Sequence, residues 1–291
     1  MASSDSPAAA RRRVRLAVRR AREAKGITQS EVAEAMEWSL SKVMRIESGE
    51  VTIAQNDLRP LLSYLGVRDR SEVEALVAAA KVSKQRKAWW DVPGFREHLT
   101  PAMRQLIQLE DEATAFHYFY PMVVPGRLQT PAYTQAVLET FSDELSPEVI
   151  AARLKARENR SQILLSRSDP PAIHTLLDES VLLREVGGGD VLREQLEHLL
   201  KLIDERRIIV KIIPFKERSP IPMLGTFEII HLPDGDDEGA VLYRESDVID
   251  EIVEDKEKIR RHRGIFDRLW HAAFDETTSA KLIRDHATAL S

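Results

Sequence analysis

Apolar positions in the first third of the chain recur at helical spacing, in short blocks broken by turn residues. The clearest block is residues 26–49, G-I-T-Q-S-E-V-A-E-A-M-E-W-S-L-S-K-V-M-R-I-E-S-G. Thr28 stands as a helix N-cap with Glu31 three residues on, the pairing that closes a capping box. Val32, Ala33 and Met36 then fall on one face, and Glu37 and Trp38 make a short turn. Ser39 caps a second helix that buries Val43 and Ile46 and stops at Gly49. Its free face carries Leu40, Ser41, Lys42, Met44, Arg45 and Ser48. Upstream, Val14, Val18 and Ala21 give a thin apolar stripe to a first helix over Arg11 to Lys25, while the small, polar residues 1–10 are predicted to be disordered. Downstream, Leu58, Leu61, Leu62 and Leu65 predict a fourth helix, Asn56 to Leu65, stopped by Gly66. Ser71 reads as the cap of a fifth, Glu72 to Ala80. An all-α domain is therefore expected over residues 11–82.

Residues 83–98 read as a linker, in which basic residues give way to Trp89-Trp90 and then to Pro93-Gly94. Beyond it, Thr100 and Pro101 start a helix predicted to run to about Tyr118. The apolar stretch V-V-P-G-R-L-Q-T-P-A-Y reads as a tight, irregular loop, followed by helices at Ala132–Thr140 and Pro147–Ser166. The period then changes. A-I-H-T-L-L, I-I-V-K-I-I-P-F, G-T-F-E-I-I-H-L and A-V-L-Y-R-E are short, β-branched or aromatic, and bounded by Gly, Pro or Asp, so they read as strands of one sheet. A helix at Val191–Glu205 lies between the first two, and P-D-G-D-D-E-G joins the last two as a hairpin. Helices at Ile249–Ile259 and Gly264–Phe274, and a short one capped by Ser279, finish the chain. The expectation for residues 99–291 is an α/β (α+β) domain with a sheet of about four strands and terminal helices.

Two short helices joined by a tight turn, the second with a free polar and basic face, describe a helix-turn-helix whose second helix fits the major groove. T-Q-S-E-V-A followed by W-S-L-S-K-V-M-R-I-E-S-G resembles the Cro/repressor-type (XRE) helix-turn-helix family, with its lambda-repressor-like all-α fold. That resemblance implies double-stranded DNA as partner and residues 39–48 as the recognition helix. Gln29 would pack against that helix and reach a phosphate or base. Ser41, Lys42 and Arg45 would face the groove and Ser48 would touch backbone, with Ser39, Leu40 and Met44 completing the contact set. Glu47 would pair with an arginine of the first helix, for which Arg22 is the candidate. Leu40 departs from the family, which often has a Gln there to read adenine. A leucine cannot make that bidentate contact, so docking is implied and base specificity is not.

Composition adds an asymmetry. The net charge of −5 hides 17 Lys+Arg against 11 Asp+Glu in residues 1–90, and 25 against 36 in the remainder. A basic front and an acidic rear suit a DNA-binding domain joined to one that does not bind DNA. Arg11, Arg12 and Arg13 read as an arm that adds phosphate or minor-groove contacts. With no cysteine, disulfides and thiolate metal sites are excluded. No apolar run approaches the ~18 residues of a membrane span, and the N-terminus lacks the apolar core of a secretion signal. A cytoplasmic protein, nucleoid-associated when bound to DNA, is expected.

A second resemblance covers about residues 87–285. W-W-D, L-E-D-E-A, V-P-G-R-L-Q-T-P-A-Y, L-D-E-S-V-L, V-K-I-I-P-F, G-T-F and V-L-Y-R-E-S, in this order, are similar to an uncharacterised C-terminal domain of actinobacterial WhiJ-like regulators. It implies regulation of transcription, often beside a small partner protein encoded nearby in an antitoxin-like arrangement, and no known ligand. Where Arg127 stands, that family usually has Leu. Trp89, Trp90, Pro125, Gly126, Arg127 and Gln129 are the candidate positions for a partner or small-molecule effector. The eight histidines are scattered and lack metal-binding spacing. There is no nucleophile elbow or phosphate-cradling loop. His174, Asp178 and Glu179 are expected near one strand end, and Glu110, Asp111 and Glu112 read as a solvated helix face. Neither catalysis nor a cofactor is expected. The reading is a homodimeric, sequence-specific DNA-binding regulator whose second domain senses a ligand or partner, the alternative being an antitoxin-like interaction module that autoregulates its operon.

Overall fold

The computed structural model describes residues 7–84, 97–140, 145–217, 224–233, 239–245 and 250–290, with Val92, Phe95 and Asp143 between them. The chain forms two compact units, residues 1–92 and 93–291. No helix among the described residues is long and apolar enough to cross a membrane.

The first unit is all-α: α1 (Pro7–Lys25), α2 (Gln29–Ala35), α3 (Leu40–Ser48), α4 (Gln55–Tyr64) and α5 (Arg70–Val82). Its core gathers Val14 and Val18 of α1, Val32 and Ala33 of α2, Val43 and Ile46 of α3, Leu58, Leu61 and Leu62 of α4, and Leu76 and Val77 of α5. Helix α1 starts at Pro7, earlier than the basic run suggested, and its Ala10 is fully buried. Two caps differ from expectation. Asp69, not Ser71, starts α5, accepting from the amides of Ser71 at 2.7 Å and Glu72 at 3.2 Å. Helix α4 follows Ala54, which has no capping side chain, so Asn56 is not its cap.

The second unit is a mixed α+β fold. Its elements are α6 (Pro101–Glu112), β1 (Ala115–Tyr120), α7 (Pro131–Glu139), α8 (Pro147–Ser166), β2 (Ala172–Asp178), α9 (Gly189–Asp204), β3 (Ile209–Ile213), β4 (Thr226–His231), β5 (Ala240–Glu245), β6 (Asp250–Val253), α10 (Lys256–Ala272) and α11 (Glu276–Ala289). Among the described residues, six strands form one sheet in the order β3-β2-β1-β4-β5-β6. β1, β2 and β3 run parallel, and β4, β5 and β6 are antiparallel to their neighbours. Two strands lie where helix was expected. A-F-H-Y-F-Y, the expected end of the first long helix, is the inner strand β1. D-E-I-V, expected in a helix, is the edge strand β6, and α10 begins after it with Asp255 as N-cap. Asp275 caps α11, whereas Ser279 is buried and its hydroxyl accepts the Ile212 amide at 3.0 Å.

One sheet face is covered by α6, α7, α9 and α11 around Phe116, Tyr118, Ile212 and Tyr243. The other packs Phe119, Phe227, Ile229 and Leu242 against Ile259, Phe266 and Leu269 of α10. Strand register gathers on this second face what looked scattered. His117 and His174 are register partners, with rings 5.2 Å apart, and the His231 ring lies 4.6 Å from His117. Phe266 stacks on His117 at 4.5 Å. Among the described residues, no group of three or more His, Asp or Glu has a geometry that could hold a metal.

The first face buries an ionic cluster. Arg127, 2% exposed, meets the carboxylates of Glu228 at 2.7 Å and Glu110 at 2.8 Å, lies 4.6 Å from the centre of the Phe116 ring, and bonds the Tyr118 hydroxyl. Arg160 of α8 donates its Nε to Glu110 at 3.0 Å, and the Tyr120 hydroxyl bonds Glu228. Burial weakens the Arg127 cation, but Glu110 and Glu228 more than offset this and raise its pKa. Glu110 and Glu112 are therefore interior, not part of a solvated face; Asp111 alone of the three is exposed.

Two outcomes follow. Arg127→Met strands Glu228 in the interior, and removing one partner of a buried pair costs about 3 kcal/mol, read as lost hydrogen-exchange protection in β1 and β4. Adding Glu228→Gln should restore part of that protection, and unchanged protection in the single variant would refute the cluster's role. The second outcome concerns acid. Burial, then His231, His174 and Arg263, push His117 down to about 3 from an ordinary 6.5, and Glu276 acts on the neighbouring His174 in the opposite sense. Below pH 6.5 the unfolded His117 takes a proton that the folded one refuses, so stability falls as pH drops from 6.5 toward 3. Denaturant midpoints for this unit at pH 7 and pH 5 should differ, and the difference should shrink in His117→Phe.

Candidate nucleic-acid interface

The α2–turn–α3 element is built from local signals that the structure satisfies one by one. The Thr28 hydroxyl accepts the Glu31 amide at 3.2 Å and Glu31 accepts the Thr28 amide at 2.7 Å, closing the capping box. Glu37 takes a left-handed φ of 54° in the turn, and the Trp38 amide returns to the Ala33 carbonyl at 2.8 Å. Ser39 accepts the Lys42 amide at 3.2 Å and starts α3. Gly49 ends it at φ 81°. A Cβ there would also lie 2.9 Å from Arg15 Cδ, so that site suits only glycine.

Glu47 fixes how α3 sits. Its carboxylate accepts Arg22 Nε of α1 at 2.7 Å and Nη2 at 3.0 Å, and the Gln29 side-chain amide of α2 at 2.8 Å. Arg22 also donates to the Ile27 carbonyl at 3.0 Å. The hydrogen bonds that Arg22 donates to Glu47 raise its pKa despite burial. Gln29 therefore packs on α3, with its amide nitrogen already committed to Glu47.

On the outer side of α3, Ser41, Met44, Arg45 and Ser48 are exposed, as are Ser39 and Leu40 at its start. Arg45 Nε reaches Glu50 at 3.1 Å, in a pair exposed enough to be worth little. The Ser48 hydroxyl donates to the Arg45 carbonyl at 3.3 Å. Lys42 is drawn to one side, with Nζ 2.9 Å from Asp57 of α4 and 3.8 Å from the centre of the Trp38 ring. Gln55 donates to the Val77 carbonyl at 3.0 Å, which ties α4 to α5.

Several expected site residues sit elsewhere. Arg11 and Arg12 are half-buried within α1 and not on a free arm; Arg11 donates to the Ser83 carbonyl at 3.5 Å. Trp89 and Trp90 lie outside the described residues. The loop with Pro125, Gly126, Arg127 and Gln129 turns inward: Gly126 is half-buried and the other three are buried. Gln129 donates to the Val124 carbonyl at 2.7 Å and accepts the Thr134 hydroxyl at 3.0 Å. Gln195 of α9 clamps the same loop, accepting the Thr130 amide at 2.7 Å and donating to the Leu128 carbonyl at 2.8 Å. An apolar loop offered to a partner is thus replaced by a hydrogen-bonded plug in the core. Only the run of Val, Pro and Leu around Arg127 hinted at burial, and nothing in the sequence pointed to Gln195.

His174, Asp178 and Glu179 do not assemble a site. His174 and Asp178 are four residues apart on an extended strand, about 13 Å. Asp178 instead accepts the Ser180 amide at 2.9 Å, and Glu179 accepts the Phe215 amide at 2.8 Å.

Glu47→Ala tests the central clamp. It leaves the largely buried Arg22 guanidinium without its carboxylate and should cost about 3 kcal/mol, read as a lower denaturation midpoint of the first unit. A midpoint within experimental error of the parent would mean that α3 is held by its apolar contacts alone.

Comparison with protein-family models agrees with this division. Residues 14–76 match a Helix-turn-helix domain, and residues 103–285 match Domain of unknown function (DUF5753). No curated protein and no solved structure matches the chain. The second match spans more than half of the sequence, and the chain belongs to the DUF5753 family, carrying a helix-turn-helix domain ahead of that domain.

Proposed function

We propose that the protein is a sequence-specific, DNA-binding regulator of transcription of the XRE type, with α3 entering the major groove. The observation that supports this best is the pairing of a clamped inner edge with a free outer face. Glu47, Val43 and Ile46 hold α3 from within, while Leu40, Ser41, Met44, Arg45 and Ser48 stay exposed. A rigid helix with a free face meets the geometric demand of groove reading. Arg45 reads a guanine, Ser41 contacts an adjacent edge, and Ser48 lies against the backbone. Gln29 contributes through its position beside α3. Lys42 supplies a phosphate contact once released from Asp57.

One such domain reads few base pairs, so a homodimer on a two-fold site follows. A ligand- or partner-sensing role falls to the DUF5753 unit; the resemblance to WhiJ-like regulators supports its part in regulating transcription and names no ligand. The buried state of the loop around Arg127 argues against that loop as the surface for a small partner protein.

The test is unbiased. Purified protein is incubated with fragmented genomic DNA, and the retained DNA is sequenced. An inverted repeat with half-sites about 10 bp apart is expected. Retention that is blind to sequence and vanishes with modest salt would sink the reading. On the recovered site, Arg45→Ala should cost about 1–3 kcal/mol and relax one base position; equal affinity for parent and variant would remove Arg45 from the readout.

A further inference from the structure

The free face of α3 is unusual in what it leaves in water. Leu40 is 44% exposed and Met44 is 51% exposed, and they are the exposed large hydrophobic residues of the first unit among the described residues. Neither packs on the apolar core of that unit, which takes Val43 and Ile46 from the same helix. They stand one turn apart, at i and i+4, and so form one continuous apolar strip. The polar side chain that would otherwise dominate this face is turned away, because Lys42 is held between Asp57 and Trp38.

An apolar strip on a groove-facing helix has one complementary group on the edges of the bases. The major groove exposes acceptors on guanine, a donor on cytosine, both on adenine, and on thymine an acceptor beside the C5 methyl. Only that methyl gains from contact with Leu or Met; every other edge would lose water and receive no hydrogen bond in return. The surroundings favour a polyanion over an apolar protein partner. The strip begins at the amino-terminal end of α3, where unpaired amides carry partial positive charge, and the exposed Arg45 follows Met44 along it.

We propose that Leu40 and Met44 are a methyl-reading pair, so that the DNA recognised by this chain carries thymines at two nearby steps of each half-site. This rests on the DNA-binding reading above and adds the base that it favours. Four residues of helix rise span about 6 Å, and base pairs are about 3.4 Å apart, which places the two thymines about two steps apart. Arg45, on the following residue, fixes the register of these contacts through its own base.

Uracil isolates the methyl group, since it pairs as thymine does but lacks C5 methylation. The full-length protein is used to select from two random duplex libraries, one made with thymine and one with uracil throughout. Each buried methyl should contribute about threefold to fivefold in affinity. The site enriched from the thymine library should therefore bind about tenfold more weakly when uracil replaces its two contacted thymines. Leu40→Ala combined with Met44→Ala, both at exposed positions, should leave the fold intact and erase most of that difference. Equal affinity for thymine and uracil forms of an enriched site would overturn the methyl-reading pair and leave the DNA-binding reading standing. Enrichment of no site from either library would overturn both.

Discussion

The Glu47 carboxylate sits where three helices meet, and the geometry of the first unit depends on its being satisfied there. Arg22 comes from α1, Gln29 from α2 and Glu47 itself from α3, with four donor contacts of 2.7–3.0 Å among the three side chains and the Ile27 carbonyl. A buried carboxylate without partners is costly, and a bidentate guanidinium is the partner that offsets that cost with a defined direction. Apolar packing of Val43 and Ile46 would tolerate small rotations of α3 about its axis. The ionic clamp does not, because a rotation breaks hydrogen bonds to two different helices. Control of that angle matters, since it decides which side chains of α3 face outward.

The second unit uses the same physics for a different end. Arg127, Arg160, Glu110 and Glu228 neutralise each other beneath one face of the sheet, with Tyr118 and Tyr120 taking the remaining bonds. The loop that delivers Arg127 is itself sealed by Gln129 and Gln195. Ionic interiors of this kind bring little net stability over apolar ones, yet losing any one partner leaves a buried charge uncompensated. Each of β1, β4, α6 and α8 contributes one or more of these groups, so the cluster specifies how the helices lie on the sheet.

The interior of the first unit and its outer face are complementary consequences of one helix. Buried positions of α3 are held by neighbours, and the exposed ones carry an apolar strip with a cation beside it. The DNA-binding reading gives that strip a partner, and the charge excess of the first 90 residues gives the approach a direction.

Local signals were legible without the structure. The capping box at Thr28 and Glu31, the Ser39 cap and the Gly49 stop act over three or four residues, and the short range of the hydrogen bonds involved lets the sequence alone determine them. The β-branched runs of β2, β3, β4 and β5 were legible as strands, though not their directions, and the Arg22–Glu47 pair was supplied by a family resemblance. What needed tertiary structure were choices between two locally acceptable states. A-F-H-Y-F-Y continues a helical pattern plausibly, and only pairing with β2 and β4 on both sides makes it a strand. Glu110 looks like a solvent residue until the fold brings Arg127, 17 positions further along the chain, against it and supplies each with its counter-charge. The gathering of His117, His174 and His231 depends on strand register, and the inward turn of the loop at Arg127 depends on Gln195, 68 residues away along the chain. Contacts across such separations are set by the whole core, so neither could be read from local spacing.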